Sequence, residues 1–165
     1  ARQFLSVREV RRDDAVKIYA FPSAKLSNIW AGVGAGRWAV CKSDHAAVNK
    51  RRATLAAEMP IGSFGILHLS GQGFTTPFVV TSRPDYVDLE KKVWPEDWQL
   101  DCDINPLGNP SKIISRSEAL NKLPSMARRG LKNVDDLIYK RGVQTFVPSE
   151  IGDDNWSLLI SELAV

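Results

Sequence analysis

The stretch Phe64-Gly65-Ile66-Leu67-His68-Leu69-Ser70-Gly71-Gln72-Gly73-Phe74-Thr75-Thr76-Pro77-Phe78-Val79-Val80-Thr81 decides the fold. Its first seven residues read as a central strand, Gly71-Gln72-Gly73 as a hairpin loop, and Thr75 to Thr81 as the returning strand. Pro77 removes a ladder donor near the start of that second strand, which predicts an edge or a bulge there. A hairpin at the centre argues against a sheet built solely from strand-helix-strand crossovers.

Working toward the N-terminus, Ala46, Ala47, Leu55 and Glu58 favour a helix from about His45 to Met59, with Asp44 as its cap and Pro60 as its stop. Arg37 to Cys41 reads as a strand. Gly32, Gly34 and Gly36 read as a tightly turning or flexible loop. Their spacing lacks the lysine-serine ending and strand-helix context of a phosphate loop. Val16 to Phe21 alternates and ends at Pro22, as a strand would. Residues 1 to 12 look like a lead-in helix or linker, and the missing initiator Met suggests a piece of a longer protein. Toward the C-terminus, Ser82 to Glu96 is a long connection with a short helix near Asp88 to Lys92. Trp98 to Ile104 alternates, placing Trp98, Leu100, Cys102 and Ile104 on one face. Asn105 to Pro110 is a turn and Ile113-Ile114 a short element. Helices are expected at Arg116 to Leu123, started by Ser115 or Ser117, and at Val134 to Lys140. The class is α+β: a curved mixed sheet or small β-barrel flanked by helices.

The 165 residues suffice for one well-buried domain, and 44% apolar with 25% charged residues is ordinary for a globular fold. No run approaches the ~20 apolar residues of a membrane span. Net charge is only +3, but the basic residues cluster at Arg8, Arg11 and Arg12, at Asn49-Lys50-Arg51-Arg52, and at Arg128-Arg129 with Lys132. Each cluster can track phosphates or be a solvated helix face. Two cysteines and two histidines, with no CxxC or HxxxH spacing, offer neither a disulfide framework nor a zinc site; no metal or other cofactor is expected.

Tryptophans supply the sharpest signal. Trp30 stands in Asn28-Ile29-Trp30-Ala31, and Trp94 and Trp98 stand in Val93-Trp94-Pro95-Glu96-Asp97-Trp98. Indole faces can wall a pocket for a flat base, or they can be core filler. Trp38, inside an apolar strand, and Trp156, beside Leu158, Leu159 and Ile160, read as structural.

The order Asn-Ile-Trp, then Val-Trp, then Asp-Trp, with the basic helix and the glycine hairpin between, resembles the YTH domain and its relative the EVE domain of the PUA-like superfamily. The resemblance spans about Val16 to Leu123. It implies a YTH-like curved sheet over residues 16–165 with a C-terminal helical extension, preceded by a linker at 1–15. YTH domains bind N6-methyladenine in an aromatic cage, and prokaryotic EVE and YTH-like modules are fused to McrB-type restriction enzymes that read modified DNA. By that resemblance Trp30 and Trp94 are opposite cage walls and Trp98 the floor or rim. Ser23 and Asn28 lie along the base edge, and Asn49, Arg51 and Arg52 along the backbone or the pocket. Beyond the resemblance, backbone groups near Ala31 are a further candidate for the base edge, and the basic pair Arg128 and Arg129 for the backbone. The implied partner is nucleic acid carrying a flipped N6-methyladenine or methylcytosine, DNA favoured over RNA, with a fused or associated effector. The implied module is monomeric, non-catalytic, not membrane-bound, and cytoplasmic in a prokaryote (nuclear or cytoplasmic in a eukaryote).

Two other classes compete for the same residues. Asp101 and Asp103 share a face on an ideal strand, with Asp97 nearby, and could hold a metal for a nuclease. Yet no partner histidine or lysine stands close in sequence, and His45 and His68 lack a nucleophile elbow. A protein-interaction module using the C-terminal helices is the other alternative.

Overall fold

The computed structural model describes residues 17–84, 92–138 and 145–165. Strands are β1 (Ile18–Ser23), β2 (Arg37–Cys41), β3 (Phe64–Leu69), β4 (Gly73–Val80), β5 (Trp98–Pro106) and β6 (Ile113–Ser115). Helices are α1 (Leu26–Ala35), α2 (Ala46–Ala57), α3 (Arg116–Lys122), α4 (Pro124–Arg128), α5 (Asp135–Ile138) and α6 (Asp153–Leu163). The mixed sheet runs β1-β3-β4-β5-β2, with β6 also paired to β4. β1 is parallel to β3 and every other pairing is antiparallel. This is the expected α+β class, a curved half-barrel flanked by helices.

β1 and β2 lie at opposite edges of the sheet yet are joined by α1 alone. A helix of 10 residues spans about 15 Å, so the sheet has to curl to bring its edges that near. Bulges help it curl. In the β3–β4 ladder the register slips between Ile66 and Leu67, leaving Thr76 (φ 47°) beside Pro77, at the place where the proline predicted a bulge. In the β2–β5 ladder it slips between Trp38 and Val40, with Leu100 at φ 57°.

Alternation along the strands feeds two cores. Tyr19, Phe21, Leu67, Leu69, Phe78 and Val80 join Trp38, Trp94 and Trp98 on one side. Ile18, Ala20, Ile66 and Phe74 face Ala119, Leu123, Met126, Leu137, Leu159 and Leu163 on the other. The C-terminal helices are therefore half of a core rather than an appendage: Leu159 and Asn155 of α6 are fully buried, and Asn155 Oδ1 accepts from the Ser125 amide at 3.1 Å.

Several elements differ from the sequence expectation. The glycine loop is in fact helical, since α1 runs through Gly32 and Gly34 and ends at Gly36, a left-handed cap at φ 66° whose amide reaches back to Gly32 and Val33. The reason is packing: a Cβ on Gly32 would stand 2.8 Å from both Arg37 O and Trp38 Cε3, so glycine lets α1 lie directly on β2. Asp44 does not cap α2; His45 takes that position without a side-chain bond, and Asn49 instead ties down Ser43. α4 was not foreseen; Pro124 opens it at a position where no amide donor is needed. Ser115 does cap α3, accepting from the Glu118 amide at 3.1 Å. The lead-in segment at 1–12, most of the Asp88 to Lys92 helix, and the end of the Val134 to Lys140 helix lie outside the described residues.

Two glycines give a paired test. Gly32→Ala should destabilise by ~1–3 kcal/mol through overpacking, despite alanine's helix preference. Gly34→Ala, where an added Cβ meets nothing within 4 Å, should stabilise by up to ~1 kcal/mol. Equilibrium denaturation of both variants reads the difference.

Candidate nucleic-acid interface

Where the curled sheet fails to close, a cavity of about 240 Å³ opens between its two edges. The end of β1 supplies Phe21, Pro22 and Ser23, and β2 supplies Ala39, Val40 and Cys41. Ala24, Lys25 and Asn28 come from the start of α1, Arg52 from α2, and Glu96 and Trp98 from the segment leading into β5. Thr145 completes the lining. A seam of this kind is a natural ligand site, since barrel mouths offer concavity without disturbing the core. The first half of β1's free edge is covered: Ser149 donates its amide to Ile18 O at 2.8 Å, and Tyr19 bridges to Pro148. The cavity begins beyond that cover.

Aromatic packing sets the floor. Trp94 and Trp98 stack face to face, centroids 4.4 Å apart at 11°. Trp38 stands edge-on to both, at 5.7 Å and 5.4 Å. Trp94 Nε1 donates to Asn28 O at 2.9 Å, which fixes α1 against this stack. Phe21 is held by Phe78 and, edge-on, by Phe146. Trp98 lines the cavity, and its buried Nε1 has no hydrogen-bond partner among the described residues.

At the rim Glu96 gathers α1. Asn28 Nδ2 donates to Oε1 at 3.1 Å and to Oε2 at 3.4 Å, and Lys25 Nζ donates to Oε1 at 3.3 Å. Hydrogen bonding from Asn28, aided by its own backbone and by Lys25 against a partial burial cost, holds the Glu96 carboxyl below the usual glutamate range. Arg52 Nη1 donates to Cys41 O at 2.9 Å. The Cys41 thiol is pushed up, by burial first and the Glu96 charge second, so it stays protonated.

The sequence candidates separate sharply in space. Ser23, Asn28, Arg52 and Trp98 come together at the cavity. Trp30 does not: it is 48% exposed on the face of α1 opposite Asn28 and Gly32, and it does not line the cavity. The pairing of Trp30 with Trp94 as facing cage walls is therefore corrected. A helix turns 100° per residue, so Asn28 pointing inward carries Trp30 outward. Trp94 is 2% exposed and spends its faces and its N–H on Trp98, Trp38 and Asn28, so it supports the floor from beneath. Ala31 packs toward the core, away from the cavity lining. Asn49 is used by Ser43, while Arg51 is exposed on α2 near Arg52. Arg128 ends α4 and Arg129 caps it, at the other core, paired with Asp154 at 2.6 Å and Glu150 at 2.8 Å. Phe21, Lys25, Val40, Cys41, Glu96 and Thr145 were not foreseen as lining. Glu96 alone carried a signal, its place between two tryptophans.

The metal-site reading loses its acids. Arg37 forms an ion pair with Asp101 and lies 4.0 Å from Asp103. The two acids thus share one guanidinium, with Asp101 buried and Asp103 exposed. Among the described residues no three potential ligands converge on a metal site. His68 is buried on β3 beside Arg116, and burial, then that positive charge, push its pKa down.

No family model and no curated protein matches the sequence. Solved structures do match in shape. The YTH domain of the Zygosaccharomyces rouxii MRB1 protein, in complex with N6-methyladenosine RNA, superposes with a TM-score of 0.52 at 19% identity over 92% of this chain and 91% of that one. The Mmi1 YTH domain in its RNA complex gives 0.54 at 11% identity, covering 89% and 77%. Protein Atu2648 from Agrobacterium tumefaciens gives 0.51 at 12% identity, covering 91% and 99%. The fold is that of the YTH domains.

Three measurements follow from this placement. Trp94→Ala should cost ~3–5 kcal/mol, as removal of a buried aromatic does, whereas Trp30→Ala should stay within about 0.5 kcal/mol. Glu96 has a lowered native pKa, so its contribution to stability is present above its unfolded-state value and is lost as pH falls through the native one. Glu96→Gln should flatten that acid limb of the unfolding profile, which thermal melts across the acid range would show.

Proposed function

We propose that the chain is a non-catalytic reader of a methylated nucleobase, which it takes out of the stack into the seam cavity. The observation that carries this reading is the cavity itself: indole floor, apolar walls and hydrogen-bonding rim, on a fold shared with YTH domains solved with RNA. Its volume of about 240 Å³ lies just below the ~300–1,000 Å³ of drug-sized ligand sites, which suits one base better than a larger molecule. Stacking of a base on an aromatic ring contributes ~1–3 kcal/mol, and an apolar berth for one methyl adds ~0.8 kcal/mol. The methyl term alone gives only a few-fold preference, so larger selectivity needs the rim's polar groups as well.

Lys25 and Arg52 at the cavity, with exposed Arg51 beside Arg52 on α2, form a positive border along which a strand's phosphates can run. Arg128 and Arg129 have no part in this path. N6-methyladenine is the first base to test because it is the ligand in the MRB1 complex, and RNA the first polymer for the same reason. DNA with N6-methyladenine or methylcytosine, the sequence-based expectation, is the second. Recognition without chemistry acts through something else, so the reading includes an associated effector.

Labelled oligonucleotides carrying N6-methyladenine, 5-methylcytosine, N4-methylcytosine or no modification, in RNA and in DNA, test it directly. At least a tenfold preference for one modified strand is expected, ~1.4 kcal/mol; equal affinity throughout defeats the reading. Ala24→Phe, which fills an exposed position at the mouth, should abolish the preference, whereas Trp30→Ala should keep it. Arg51→Ala should weaken modified and unmodified strands alike and lower the salt slope by ~0.7 per lost phosphate contact.

A further inference from the structure

The geometry points to Glu96 as the specificity-determining acceptor of the cavity, selecting bases that present an N–H donor at their modified edge. The inference rests on the reader function proposed above and deepens it by naming the class of base. Glu96 belongs to the cavity lining and its side chain is 31% exposed, so it meets both ligand and solvent. Its position is fixed, because Asn28 touches both carboxylate oxygens and Lys25 holds one of them. An ionised carboxylate accepts and never donates, and its two oxygens offer about four lone-pair directions. Asn28 and Lys25 both use Oε1, and among the described residues the one side-chain contact to Oε2 is the long one of 3.4 Å. Oε2 therefore retains acceptor capacity at the cavity rim.

Asn28 adds to this bias. With Nδ2 committed to the carboxylate, the polar atom it has left is Oδ1, another acceptor. The inward side of α1's first turn is thus rich in acceptors. A secondary amine such as the N6–H of N6-methyladenine matches it, as does the amino edge of cytosine, for which carboxylates are established acceptors. A base with an ether or keto oxygen at the same place would set lone pairs against a carboxylate, and leaving such a site unpaired or repelled is what polar pockets use to reject analogues.

The test compares N6-methyladenine with 6-methoxypurine in otherwise identical oligonucleotides. The two have nearly the same outline, but the second carries oxygen in place of N–H. The wild-type protein should prefer N6-methyladenine by at least tenfold. In Glu96→Gln the amide can turn its donor to the ether oxygen, and the preference should fall to within about threefold. A wild-type protein that binds both strands equally, each above the unmodified strand, overturns the assignment while leaving the reader function standing. A Glu96→Gln protein with unchanged melting temperature and undiminished preference overturns it as well. Should the glutamine variant fold poorly, Lys25→Met serves instead: with the carboxylate no longer held by Lys25 the preference should fall, and an undiminished preference contradicts the assignment. Failure of the reader function looks different, because no modified strand then exceeds the unmodified one.

Discussion

The structure depends on the packing of Trp38, Trp94 and Trp98. Two of these rings stack and the third closes them edge-on. Edge-to-face and offset contacts are the arrangements that aromatic quadrupoles favour, worth ~0.5–1.5 kcal/mol per pair beyond area. Their larger effect is topological. Trp38 belongs to β2, Trp98 begins β5, and Trp94 lies in the segment before it, with its N–H on α1. The cluster therefore binds one edge of the sheet to the helix that leads back to the other edge. It holds the sheet curled and stops it from closing, and the unfilled remainder is the cavity.

That arrangement gives each irregularity a role. The slip opposite Leu100 lets Trp98 lie under the seam while Asp101 turns inward to Arg37. The slip at Thr76 bends β4, so that its first part pairs with β6 and its last part with β5. Non-glycine residues at positive φ cost energy and persist where the surroundings over-determine them. Here two strand pairings and a packed core do so. The second core, on the other face, steadies the sheet from behind through α3 to α6 and takes no part in the cavity.

Much of this was legible in the sequence, for identifiable reasons. The hairpin through Gly71 to Gly73 and the bulge at Pro77 were readable because turn chemistry and a missing amide act locally. The alternation from Trp98 to Ile104 held because burial follows period two even across a bulge. The helix through Gly32 was hidden because glycine's poor helix propensity was outweighed by a close approach to Trp38, a residue only a few positions ahead whose position depends on the whole sheet. The cavity was half legible. Ser23, Asn28 and Trp98 could be named from a resemblance, but pairing Trp30 with Trp94 treated sequence order as if it were direction in space. Helical phase decides direction, and the glycine run concealed that α1 was a helix at all. Val40 and Cys41 carry no chemical flag, and line the cavity because a sheet edge ends beside them.

With Trp94 beneath the floor and Trp30 outside, the aromatic lining of the cavity reduces to Trp98 and Phe21, beside Ala39 and Val40. Phe21 has already spent contacts on Phe78 and Phe146. Stacking on a ring is tolerant of base identity because every base has a π face. A site with little enclosing aromatic surface thus cannot draw its discrimination from stacking alone, and a methyl group contributes too little by itself. Selectivity has to come from directional groups held in place before the ligand arrives. On the proposed reading those groups are Asn28 and Glu96, and what holds them is the Trp94 hydrogen bond to Asn28 and the Lys25 contact to Glu96. The tryptophan cluster therefore reaches the rim through a chain of contacts: it orients α1, α1 orients Asn28, and Asn28 orients the carboxylate on which the proposed selectivity rests.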